Sequence, residues 1–414
     1  MKYRHRVLVL LALLSIITYL DRVCIAVAGP RMQEDLHIGP AGWGWVVGIF
    51  AFAYSAFEIP TGSLADRLGP RRILTRIVLW WSAFTSLTGT ASNYWALLLI
   101  RFSFGAGEAG AYPNVSASIS RWFPRIERAR ALGLVLMASQ IGGALSPMLV
   151  VPIQARYGWR TSFYLFGVFG VLWAAVWYWW YRDTPSEMTC VTQTELSEIG
   201  ATSFQAHHAL PWRVALRSKN LWSIMLMAFC YSYAGFFFLS WLQTYLVKGR
   251  GFTEKQLLLS TLPFIFGACG NAYGGFASDA LVRKLGLKWG RRTSRIIGAG
   301  ISALSMVAAI LTTNKFLALL FLTMSYLGVT FLQPSAFAVC LDIAPRYSGA
   351  AVGAMNTVAQ IGAFLSSTIF GYLVKLTGNY DVPLVPMALM LALSAALWSR
   401  IDPTEELIPE AQAS

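Results

Sequence analysis

The sequence predicts an all-α membrane protein, with twelve transmembrane helices in two six-helix halves. Three observations carry that reading. The 414 residues are 56% hydrophobic and 13% charged, with a mean hydropathy of +0.54, a balance far from that of soluble domains. Apolar runs recur along the whole chain, each near the roughly 20 residues that cross about 30 Å of hydrocarbon as a helix. Lys and Arg collect in alternate loops, as in a positive-inside topology.

The runs of the first half cover 7–28, 43–64, 73–92, 95–119, 130–152 and 161–181. Those of the second cover 221–247, 257–281, 294–313, 316–340, 349–374 and 382–400. The first run is longer than the core of a signal peptide, and no A-x-A-like site with a soluble domain follows it, so it is expected to be the first spanning helix. One side of the membrane receives Lys2, Arg4 and Arg6, then Arg67, Arg71 and Arg72, then Arg121, Arg125, Arg128 and Arg130. The same side receives Arg182, Arg213, Arg217 and Lys219, and the 8–9 loop with Arg283, Lys284, Lys288, Arg291, Arg292 and Arg295. Both termini and the central loop are therefore expected in the cytoplasm. The net charge of +14 is a topology signal, and no nucleic-acid partner is expected.

The expected organisation is a first half at 1–181, a linker at 182–220, a second half at 221–401 and a cytoplasmic tail at 402–414. The halves repeat one another. "GSLADRLGPRR" (62–72) returns in degenerate form as "GGFASDALVRKLGLKWGRR" (274–292). Pro113 and the pair Pro124-Arg125 return 221 residues later as Pro334 and Pro345-Arg346. Parallel halves are the arrangement of an alternating-access transporter. The cysteines form no C-x-x-C pair, and His207 and His208 have no further ligands at metal spacing, so no metal site is expected.

Four ionisable residues stand out as lying deep in spanning runs: Asp21 and Arg22 in helix 1, and Arg101 and Glu108 in helix 4. Such residues are costly in the membrane and usually face a cavity in which they are paired or functional. Two guanidinium groups suit a carboxylate ligand through parallel hydrogen bonds. Two carboxylates can be neutralised by protonation and so couple protons to an anion. Seven helical residues place Arg101 and Glu108 on one face, and Glu108 is expected to pair with Arg101 and release it when protonated. Helices 7–12 are expected to hold no acid or base well inside the membrane, with Tyr231, Asn356 and Gln360 offering hydrogen bonds to hydroxyls. Tyr19, Tyr54 and Gln140 could do the same from the first half, and the set favours a polyhydroxylated anion. Gly105, Gly107, Ala109 and Ala111 read as packing residues, Pro113 as a kink just beyond Glu108. Phe236 to Phe238 are a candidate gate. Glu58 reads as an interfacial carboxylate paired with a loop Arg.

"GSLADRLGPRR" resembles the helix 2–3 motif of the major facilitator superfamily, whose fold the two halves then imply. "YLDR", "RFSFGAGEAGAYPN", "RWFPRIERARALG" and "YRDTPSEM" resemble that superfamily's anion:cation symporter branch, which includes galactonate, glucarate and hexuronate permeases, sialin and vesicular glutamate transporters. The resemblance implies a proton-coupled symporter in a bacterial inner membrane that imports an organic anion, a sugar acid above all. It implies proton coupling at Asp21 and Glu108 and anion binding at Arg22 and Arg101. The gating residues would be Asp66, Arg67, Arg71 and Asp279, with Asp66 holding the cytoplasmic side shut. Helix 5 (Gly133, Gly142, Ser146, Pro147) partly resembles an antiporter motif, with Ser146 in place of a glycine. An organic-anion exchanger, a drug:proton antiporter of the same fold and a non-transporting sensor are the alternatives. No enzyme chemistry and no cofactor beyond protons is expected; the expected partners are the anion and the bilayer, with the chain acting as a monomer.

Overall fold

The structure is a computed structural model that describes residues 2–188, 190–199, 215–344, 348–405 and 407; the side chains of 59, 62–68, 125, 126, 129, 341, 348 and 349 also lie outside the described set. The chain divides into two compact units, one of residues 1–38 and 49–205, the other of 39–48 and 206–414.

The helices of the first six crossings are α1 (Tyr3–Asp35), α2 (Pro40–Leu68), α3 (Pro70–Thr88), α4 (Tyr94–Glu108), α5 (Ala111–Trp122), α6 (Arg125–Tyr157) and α7 (Trp159–Trp180). A short α8 (Gln193–Ile199) follows, then α9 (Lys219–Gly235), α10 (Thr261–Leu311), α11 (Lys315–Ile343), α12 (Ser348–Thr377) and α13 (Leu384–Trp398). Eight described helical stretches are long and apolar enough by themselves to cross a membrane. The twelve crossings are completed by α3, the broken pair α4–α5, the short α13 and a second passage within α10. Each half uses the same pairings: α1 packs on α6 and α3 on α7 in one unit, α9 on α12 and α10 on α13 in the other.

Helix starts follow local chemistry. Asn93 accepts the Ala96 N–H at 2.9 Å and Asn314 the Phe316 N–H at 2.9 Å, each satisfying a donor the new helix leaves open. The crossing expected over 95–119 is broken, with α4 ending at Glu108 and α5 starting at Ala111. Pro113 sits in the first turn of α5, where its missing N–H costs nothing. The Ala109 carbonyl, which a residue 113 N–H would otherwise serve, receives the Thr61 hydroxyl at 3.2 Å. The loop expected between 281 and 294 is instead helical, and α10 departs from helical geometry only at Gly286 (φ 77, ψ 168), a conformation that glycine adopts without strain. Beyond Gly235, the seventh crossing continues as single turns and ends in a π-helical stretch, Tyr245–Gly249.

Polar clamps hold the basic end of each unit. Gly69 (φ 81) lets the chain turn between α2 and α3 while the Asp183 carboxylate lies against its Cα and accepts the Arg71 N–H at 2.9 Å. The Arg71 guanidinium donates to the Tyr178 carbonyl at 2.9 and 2.7 Å. In the second unit Arg292 donates to the Ile401 carbonyl at 2.9 Å, and Lys288 meets Asp402 at 2.5 Å. The linker region is not wholly irregular. "TQTE" (192–195) starts α8 with the Thr192 hydroxyl accepting the Glu195 N–H at 3.3 Å. The Glu195 side chain then caps α1, accepting the N–H groups of Tyr3 and Arg4 at 3.1 and 2.9 Å.

Candidate functional site

Three helices of the first unit bring the in-membrane charges together: α1 supplies Asp21 and Arg22, α4 supplies Arg101 and Glu108, and α2 covers them. All four lie within the protein, with Asp21 3%, Arg101 4% and Glu108 1% exposed. Arg22 Nε donates to Glu108 Oε1 at 2.5 Å, with side-chain exposures of 9% and 1%. The expected Glu108–Arg101 pair is thus replaced by Glu108–Arg22. The reason is axial distance: seven residues of helix rise about 10.5 Å, so Arg101 and Glu108 share a face but not a level, while Arg22 reaches Glu108 from the adjacent helix.

Arg101 makes no hydrogen bond or salt bridge to any described residue. Its guanidinium stacks on Phe50 and Phe104, at 5.2 and 4.8 Å from the ring centres, within Coulombic reach of Asp21, Arg22 and Glu108. Asp21 accepts a long 3.5 Å hydrogen bond from Thr85, and its other oxygen has no described partner. Aromatic rings enclose Arg22: Tyr19 at 5.4 Å, Phe50 at 5.2 Å and Tyr54 at 5.0 Å. These faces stabilise a desolvated cation without neutralising it. With both carboxylates ionised the four charges sum to zero. One proton leaves a charge of plus one, which a monoanion cancels.

The structure places Tyr19 and Tyr54 in this cluster. Gln140 is buried on α6. On α6, Ser146, the departure from glycine in helix 5, donates to the Leu20 carbonyl at 3.2 Å, next to Asp21. Phe50, Thr85 and Phe104 were not singled out from sequence. A partial signal was present, since Phe50, Tyr54 and Glu58 recur every four residues along α2 and Phe104 lies one turn from Arg101. Glu58 is only 7% exposed, so its carboxylate is enclosed by the protein. A Cβ on Gly105 would stand 2.5 Å from the Phe50 carbonyl oxygen, which fits the packing role.

In the second unit, Tyr231 on α9 and Asn356 and Gln360 on α12 are half-buried on two helices that pack together. Phe237 and Phe238 are fully buried against Tyr245, Phe370 and Tyr326. Of the gating residues, the Asp66 and Arg67 side chains lie outside the described residues, as do His207 and His208. Arg71 holds the α7 end as described, and Asp279 meets Arg291 at 3.4 Å while 65% exposed. Arg295, counted with the basic residues of the 8–9 loop and standing at the start of the run 294–313, is fully buried within α10.

A membrane chain of two repeated six-helix units, with opposed charges buried inside one of them, has the architecture of a secondary transporter. The chain belongs to the Major Facilitator Superfamily, whose family model matches residues 11–367. It is therefore a multi-pass membrane transport protein and not an enzyme. It is 34% identical over 408 residues to a Cupriavidus necator protein described as a "Probable sulfoacetate transporter", covering 97% of this chain and 94% of that one. It is 30% identical to a "Probable L-galactonate transporter" of Escherichia coli, covering 91% and 84% of the two chains. With the "Hexuronate transporter" of Bacillus subtilis it shares 29% identity, covering 91% and 89%. Its fold is similar to an inward-facing, unoccupied crystal structure of a bacterial homolog to the human lysosomal transporter Spinster, with TM-score 0.78 and 20% identity, covering 96% and 97%.

Proposed function

We propose that the protein is a proton-coupled symporter that imports a small organic anion by alternating access. The observation that carries this reading is Arg101, a buried guanidinium with no described hydrogen-bond or salt-bridge partner beside a neutralised Arg22–Glu108 pair. Arg101 receives the anion. Protonation of Glu108 frees Arg22 to join it, and one proton with a monoanion leaves the cluster neutral. Binding and protonation favour each other, as linkage requires. Asp21, whose second oxygen has no described partner, is the second proton site. Two protons with a monoanion carry net positive charge inward, which gains about 2.3 kcal/mol per 100 mV.

Tyr231, Asn356 and Gln360 are proposed to hydrogen-bond substrate hydroxyls, and Asp66, Arg67, Arg71 and Asp279 to control opening at the basic end. A sugar acid is the preferred substrate class, supported by the galactonate and hexuronate relatives. Sulfoacetate enters as a competitor through the Cupriavidus relative. The test is counterflow in proteoliposomes with labelled galactonate, glucarate, hexuronate and sulfoacetate, with and without an imposed proton gradient. Gradient-driven accumulation of a sugar acid supports the proposal. Exchange without accumulation makes the protein an exchanger, and binding without movement makes it a sensor.

A further inference from the structure

Arg295 lies in the second passage of α10, nine residues beyond Gly286, and is 0% exposed. Its Nε and both terminal nitrogens are buried and without a partner. Its neighbours are served. Arg291 bonds to Asp342 at 3.2 Å and to Ser278 at 2.9 Å, and Arg292 donates to the Ile401 carbonyl at 2.9 Å, so neither carboxylate near Arg291 reaches Arg295. The Trp398 ring on α13 faces its charge, 4.4 Å from the guanidinium carbon, and Tyr231 and Cys340 lie within Coulombic reach without bonding to it.

Stacking on a ring face offsets part of the cost of burying a charge but satisfies none of the N–H donors. The Trp398 indole N–H is also buried and unpartnered, as are the hydroxyls of Ser294 and of Ser394, which stands one turn before Trp398. A guanidinium offers five donors and no acceptor, and an indole one donor and no acceptor. The group that complements this set is an oxyanion. Trp398 belongs to an apolar cluster with Leu397, Cys340 and Ile343, against which Tyr231 packs. Just beyond Arg295, Ile296, Ile297 and Ile301 are exposed on the helix surface, where lipid would lie. Arg283, Lys284 and Lys288 stand before it at the same end, a basic grouping of the kind that draws anionic headgroups.

We propose that Arg295 and the Trp398 N–H form a second anion site, separate from the Arg22–Arg101 cluster, that takes a phosphate group. That group comes from an anionic phospholipid headgroup or from free inorganic phosphate. The full-length Arg101→Ala protein serves as parent, so that the unpaired guanidinium of the first cluster is absent. Thermal stability is measured in detergent with and without inorganic phosphate, and in nanodiscs of phosphatidylglycerol against phosphatidylcholine. Stabilisation of the parent by phosphatidylglycerol identifies the lipid as source, and stabilisation by inorganic phosphate identifies the free anion. Adding Arg295→Leu should abolish the shift. Trp398→Phe, which keeps the ring and removes the N–H, should weaken apparent affinity at least tenfold, and it remains informative if the leucine variant does not fold. The proposal is overturned if the parent shows no shift in either arm, or if the shift survives in Arg295→Leu or is unchanged in Trp398→Phe.

Discussion

Replacing Arg101 by alanine removes the guanidinium that the first cluster leaves unpaired. Hydrogen bonds to a charged partner contribute about 1.5–3 kcal/mol each, and a bidentate Arg–carboxylate contact makes two. A loss of about 3 kcal/mol, the low end for two such bonds, corresponds to about 150-fold in affinity, since about 1.4 kcal/mol is tenfold. No other described arginine compensates, because Arg22 is held by Glu108 at 2.5 Å. Arg101→Lys restores the charge but not the planar fork, so it should recover only part of the loss. The substitution breaks no described salt bridge, and the carboxylate charge it leaves uncompensated can be neutralised by protonation of Asp21, so the protein should stay folded. Isothermal titration with the anion that moves in the counterflow screen reads the effect. Affinity within threefold of wild type in Arg101→Ala would show that the anion binds elsewhere and would refute the reasoning.

Further outcomes follow from the clamps. Gly69→Ala forces a side chain into φ 81 with its Cβ 2.4 Å from Asp183 Oδ2, and should cost about 1–3 kcal/mol, read as a fall in melting temperature. Glu195→Ala removes the acceptor for the Tyr3 and Arg4 N–H groups and should cost about 1 kcal/mol, with faster hydrogen exchange confined to the start of α1. Hydrogen bonds from Lys2 and Arg4 hold the Glu198 carboxyl below its ordinary range. A depressed carboxylate contributes stability that is present above its unfolded value and lost as pH falls through the folded one. Exchange at residues 2–6 should therefore rise only in acid below the ordinary glutamate range. Glu198→Gln should show that faster exchange already at neutral pH, with no further rise in acid.

Hydropathy and loop charge made the twelve crossings legible, because in lipid each backbone group must be satisfied within its own helix. The break after Glu108 was legible through Pro113, though it is a turn and not the expected bend. The continuation of helix through 287–293 was not, since Lys288, Arg291 and Arg292 look like loop residues until their partners Asp402, Asp342 and the Ile401 carbonyl are seen. The membership of the charge cluster could be read from sequence, whereas its pairing could not. Which arginine meets Glu108 depends on the relative heights of α1 and α4, and helical spacing within α4 carries no information about α1.

The central claim is that Glu108 exchanges its Arg22 partner for a proton when the anion binds, and Glu108→Gln tests it most directly. Glutamine mimics the protonated state, so the variant should bind the anion with an affinity that has lost the part of its pH dependence that Glu108 supplies, and should still carry out counterflow. It should not accumulate the anion when a proton gradient is imposed. Both activities are measured on the same proteoliposomes. Counterflow retained with gradient-driven accumulation lost is the predicted result; full proton-driven accumulation by Glu108→Gln would contradict the account and move the coupling to Asp21 or remove it from the mechanism.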